Sequence, residues 1–256
     1  MLKGLKKQFK SDKKNLKNEY KEKKENLKNR YFENIKLINK PELQITTKSA
    51  PKRGLLEEIG NATTHGVGAL LSVVVLILMI LKSHTSIMLF SAIVYFIGLF
   101  LMFGMSCLYH SFKYGSKVKL LFRRFDYSSI YLLIGATFVP ILLIFVGGTF
   151  GIVFFIIQWI IIITGVTFIN IFGPHRFRKL HMTLYIILGW SGLLLLPLMI
   201  KQNIILFIFI LGGGIVYSLG IIPFALKKKV SHFIWHIFVI LGAAVQWIGI
   251  YFGLFI

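Results

Sequence analysis

Acidic residues are scarce in this chain of 256 residues. Nine Asp and Glu stand against 30 Lys and Arg, and after Glu58 only Asp126 remains. The single cysteine, Cys107, excludes an intrachain disulfide framework. It neighbours Ser106, yet a thiol within an apolar helix is inert, so no chemistry is assigned to it. A cleavable signal peptide is expected to be absent, because the lysine-rich N-terminus has no apolar run behind it. What is abundant excludes a soluble globular composition: 56% of residues are hydrophobic and the mean hydropathy is +0.74. Apolar runs of roughly 17–25 residues recur, each long enough to cross a hydrocarbon core of about 30 Å.

A net charge of +21 raises nucleic acid as a partner, so the distribution of charge decides. Residues 1–53 hold 17 of the basic and six of the acidic residues, a net +11. An eleven-residue repeat runs through them: Leu5-Lys6-Lys7-Gln8-Phe9 is echoed by Leu16-Lys17-Asn18-Glu19-Tyr20 and Leu27-Lys28-Asn29-Arg30-Tyr31. Apolar residues at 5, 9, 16, 20, 27, 31 and 38 would form a narrow, nearly straight seam on a very basic helix. Such a helix suits an anionic cytoplasmic leaflet or another helix; the many Asn and Lys suit a solvated, disordered tail equally well. No nucleic-acid-binding module is present, and a membrane surface already accounts for the charge. Residues 39–53, with Pro41, Thr46, Thr47 and Pro51, read as a linker. The expected organisation is a basic extension over 1–53 and a membrane domain over 54–256.

Seven spans are expected within that domain, over 63–82, 87–110, 125–146, 150–172, 180–200, 203–224 and 231–254. Pro140, Pro197 and Pro223 fall inside or near their ends, where neighbouring helices resatisfy the freed carbonyls. The connections alternate in charge, placing 28 of the 30 basic residues on one side and only Lys82 and Lys201 on the other. The positive-inside rule then predicts a cytoplasmic N-terminus and an outside C-terminus. The fold class is an all-α, polytopic seven-helix bundle.

This topology puts the rare polar groups at one depth. His65 opens the first span beside Glu57, Glu58 and Asn61; Ser106 and His110 close the second; Asp126 opens the third; His232 and His236 open the seventh. Ionisable groups at membrane depth are costly and face the bundle interior or a water-filled cavity. His232 and His236, four apart, share one helix face, a spacing that lets two imidazoles reach one metal ion. Imidazole favours zinc over calcium or magnesium. His110, His232 and His236 could fill three tetrahedral positions and leave the fourth for water, the form of a catalytic site. Asp126 could orient that water or take its proton, and Ser106 could hydrogen-bond an oxyanion. Each residue also has a plainer reading. Asp126 could pair with Arg123 or Arg124, His65 and Ser106 could bond between helices, and His232 could be interfacial beside Lys227–Lys229. Their coincidence at one depth favours a shared site.

Taken in order, Glu57-Glu58-Ile59-Gly60-Asn61-Ala62-Thr63-Thr64-His65-Gly66, Ser106-x3-His110, Asp126, Tyr185 with Gly189-Trp190, and His232-x3-His236 resemble the haemolysin III family. That family is related to the progestin and adipoQ receptors and, more distantly, to alkaline ceramidases. The resemblance spans about 55–256 and leaves out the repeats. It implies seven helices, a cytoplasmic N-terminus and zinc on His110, His232 and His236, with Ser106 and Asp126 matching the family's Ser and Asp. It leaves the activity divided between a lipid amide or ester hydrolase, a pore-forming cytolysin with structural zinc, and a membrane receptor; membrane lipid is the expected substrate or ligand, and a homo-oligomer stays open. Elsewhere, His175 and His181 are expected in a headgroup-facing loop, His84 in solvent, and Gly212-Gly213-Gly214 at a close helix approach.

Overall fold

A computed structural model describes residues 2–38, 51–226 and 228–256. The expected linker falls largely in 39–50, which lie outside the described residues, as do Lys227 and the side chain of Ile38. Contacts divide the chain into two compact units, Met1–Pro51 and Lys52–Ile256. Among the described residues, the first contains one helix, α1 (Leu2–Ile38). Its repeat-borne seam of Leu5, Phe9, Leu16, Tyr20, Leu27 and Tyr31 is between 61% and 71% exposed.

The second unit is an antiparallel series of apolar helices. They are α2 (Leu55–Leu81), α3 (Ser86–Ser111), α4 (Lys117–Pro140), α5 (Gly148–Phe172), α6 (Arg178–Trp190), α7 (Leu196–Gln202), α8 (Ile204–Leu226) and α9 (Ser231–Ile250). Together with the turns that extend them they give seven segments, among the described residues, long and apolar enough to cross a membrane. Each agrees with an expected span but starts earlier or ends later. α2 begins eight residues before position 63, so Glu57, Glu58 and Asn61 are helical rather than in a preceding loop. α4 likewise begins at Lys117, capped by the Ser116 hydroxyl, which accepts from Lys119 N at 3.1 Å. Hydropathy marks where hydrocarbon begins, whereas capping marks where a helix begins, and here the two differ.

Two spans end in π-helical turns at the same end of the bundle. α4 passes through Pro140 into Ile141–Val146, where Gly147 N reaches back to Leu142 O at 3.0 Å. α9 continues into Tyr251–Phe255, where Ile256 N bonds Tyr251 O at 3.1 Å. The fifth span is interrupted by a 3₁₀ turn, Ser191–Leu195, between α6 and α7. Gln158 donates to Ser191 Oγ at 2.8 Å at this break.

Lipid tails are as apolar as leucine, so helix association in a bilayer depends on close packing and interhelical hydrogen bonds. Large side chains such as Leu70, Phe150, Ile160 and Leu194 point outward. Small residues bring backbones together inside. A Cβ on Gly98 of α3 would stand 2.3 Å from the Ala136 Cβ of α4, and one on Gly213 of α8 would stand 2.3 Å from Gln246 Cγ of α9. The close approach expected of the glycine triplet therefore centres on Gly213.

Candidate metal centre

The first turns of α2, α4 and α9 and the last turn of α3 meet at one end of the bundle. Each carries polar side chains inward. On α3 the spacing Ser106-x3-His110 aligns both along one face, and both are buried. On α9 the same spacing aligns His232 and His236. The helix starts abruptly from Val230, which adopts a left-handed conformation (φ 66°) with no side-chain cap.

Three imidazoles converge there. His232 Nε2 lies 3.3 Å from His110 Nε2 and 3.2 Å from His236 Nε2. Ring nitrogens of the three residues lie within 4.8 Å of one another, close enough to hold one metal ion. His110 is backed by Glu58 of α2, whose Oε2 accepts from His110 Nδ1. Lys119 of α4 reaches the other oxygen of that carboxylate at 3.0 Å. His236 is backed by His65, whose ring stacks on it at 3.7 Å between centroids and 18° between planes. Phe103 packs edge-on against the other side of His65.

Asp126, one turn beyond Arg123 on α4, is 9% exposed and lies beside Ser106. It faces a cavity whose polar end is formed by His65, Ser106, Asp126, His232 and His236. Tyr185, Trp190 and Tyr217 wall its middle, and Gln246 lies at its far end. Trp190 is held by a hydrogen bond from Nε1 to Ser218 Oγ at 3.1 Å. From His236 to Gln246 is ten residues of helix, so the cavity extends about 15 Å into a core of about 30 Å. His110 does not line it, lying behind the other two histidines.

The expected set of Ser106, His110, Asp126, His232 and His236 is thus assembled in one place, and His65 joins it by stacking rather than by bonding between helices. Glu58 and Lys119 were missed as partners. Lys119 reads as one of several loop lysines that report topology, and only a helix starting at 117 turns it inward. His181 differs from expectation. It is buried on α6, and Tyr131 Oη lies 3.0 Å from its Nδ1. The wider cluster includes Tyr185, which donates to Tyr127 O at 2.8 Å. His181 lies inside the fifth expected span, and α6 turns it into the bundle rather than toward headgroups, whereas His84 is exposed as expected.

A family model described as haemolysin-III related matches residues 53–247. This chain belongs to the haemolysin III family. Hemolysin-3 of Bacillus cereus is 40% identical over 201 residues, covering 77% of this chain and 91% of the relative. A hemolysin-3 homolog of Bacillus subtilis (strain 168) is 34% identical over 203 residues, covering 77% of this chain and 93% of the relative. The family match begins at residue 53, so α1 lies outside the haemolysin III region of the chain.

Proposed function

We propose that this haemolysin III family member is a zinc-dependent membrane hydrolase of a lipid amide or ester. One observation carries the reading: three convergent imidazoles stand beside the Ser106–Asp126 pair at the polar end of an apolar cavity. Tetrahedral zinc at about 2.0–2.1 Å from nitrogen separates its ligand atoms by about 3.3–3.4 Å. The separations of 3.2 and 3.3 Å suit such an ion. Hard cations want oxygen, so an all-imidazole set disfavours calcium and magnesium.

Zinc bound there would supply Lewis acidity and draw the pKa of water toward about 7. Asp126 would accept the attacking water's proton, with Ser106 beside its carboxylate. As that proton leaves, the Ser106 hydroxyl can turn to the developing oxyanion. Val239 and the aromatic walls would hold an extended acyl chain and exclude water from the reacting carbonyl. The 28 basic residues on one side support a cytoplasmic N-terminus, with the polar end of the cavity opening at the cytoplasmic interface. The same bias supports an anionic leaflet as the surface on which α1 rests.

Purified protein should carry one zinc per chain and turn over a member of a lipid amide and ester library. His232→Ala should lose both properties, and Asp126→Ala should lose turnover alone. Metal-free protein with full activity would end this reading. The relatives' printed name, hemolysin-3, favours a second one, a pore-forming cytolysin. It is distinguished by size-dependent osmotic protection of lysed cells that persists in Asp126→Ala.

A further inference from the structure

We propose that Glu58 is the outer carboxylate of a carboxylate–histidine–metal triad and that Lys119 anchors it. Both are then positioning residues that act through His110. The inference rests on the reading of the three histidines as a metal site. Glu58 Oε2 accepts from His110 Nδ1. An ionised carboxylate only accepts, so this bond requires the proton on Nδ1 and leaves the Nε2 lone pair facing the other histidines. The nearby Asn61 Nδ2, 3.4 Å from the same Nδ1, is itself a donor and cannot take that proton. A carboxylate in this position fixes the tautomer and ring orientation of a ligand histidine and raises its basicity.

The anchor is built as carefully as the triad. Lys119 is 1% exposed, and a buried lysine is costly unless paired. Its Nζ donates to Glu58 Oε1 and to Phe112 O, both at 3.0 Å, and lies 4.9 Å from the centroid of the Tyr109 ring. Three helices are tied at one point: α2 through Glu58, the end of α3 through Phe112, and the first turn of α4 through Lys119. A buried ion pair serving packing alone would not need His110 as its third member.

Zinc affinity by chelator competition and the visible absorption of the cobalt(II) form separate these roles, measured on the full chain in nanodiscs. Glu58→Met, which removes both acceptors at similar volume, should weaken zinc binding about 10–100-fold. Glu58→Gln, which keeps an acceptor without the charge, should weaken it less, and both should shift the cobalt spectrum. Lys119→Met should fall between Glu58→Gln and wild type. Glu57→Gln, whose parent residue pairs with Arg53 instead, should match wild type in both readouts. Unchanged affinity and spectrum in Glu58→Met and Glu58→Gln, with binding lost in His236→Ala, would overturn the triad and leave the metal site standing. Undiminished binding in His236→Ala would overturn both. If Glu58→Met does not fold, Glu58→Gln decides alone.

Discussion

The two ends of the bundle are built on different principles. At one end, His65, His110, Lys119, Asp126 and His236 are buried charged or imidazole groups, and the partly buried Glu58 joins them, so that four helices contribute. Glu58 is hydrogen-bonded to both His110 and Lys119, and His65 stacks on His236. At the opposite end, no such group is buried among the described residues. Two spans there close with π turns, and Asn203 ties the start of α8 to the second of these turns, donating to Gly253 O at 2.7 Å while its Oδ1 accepts from Leu206 N at 2.9 Å. The difference teaches how one fold can be closed in two ways, by side chains at one end and largely by backbone at the other. The far end can be satisfied by backbone and small residues, whereas the near end is satisfied only by a specific set of side chains.

Variants can break this contrast. The largest effect is expected from His236→Ala, which should abolish stoichiometric zinc by elemental analysis and with it all lipid turnover. Asp126→Asn should retain the metal and lower turnover by about 10²–10⁴-fold, the range of a lost general base. Chelation of the wild type should lower its thermal stability by up to about 4 kcal/mol if zinc is present at 1,000 times its Kd. At the midplane and at the far end, stability should respond and zinc affinity should not. Gly213→Ala, whose new Cβ meets Gln246 and approaches Gly242 O at 3.0 Å, should cost about 1–3 kcal/mol. Asn203→Ala should cost about 1 kcal/mol through loss of its cap and bridge. Neither should change zinc affinity, and a far-end variant that did would show the two ends to be coupled.

Much of this was legible in the sequence because membranes simplify the reading. Apolar length and lysine alternation locate seven spans without any knowledge of packing. Once the spans are located, the i, i+4 pairs Ser106–His110 and His232–His236 and the lone Asp126 come to one level by counting. What escaped depended on helix ends and on rotation. Glu58 and Lys119 lie outside the apolar windows, so hydropathy assigns them to loops. Capping by Ser116 extends α4 back to Lys117, and that extension turns Lys119 toward Glu58. His181 escaped through rotation: it lies within the fifth span, and only the face it occupies on α6 brings it to Tyr131. The cavity was invisible because its walls, Tyr185, Trp190 and Tyr217, are the residues any apolar core would use. Which of them leave a gap depends on the Gly213 contact and on the break at Ser191–Leu195.

The separation of the histidines along the chain has a consequence for biogenesis. His110 and His232 are 122 residues apart, and chains enter the membrane from the N-terminus onward. Glu58, His110 and Lys119 all belong to the first three spans, so this half of the centre can assemble while four spans are still to be made. His232 and His236 arrive only with the last. A chain arrested before Ser231 holds one of the three imidazoles, so if the centre binds metal, tight retention would report that the final helix has been threaded and docked.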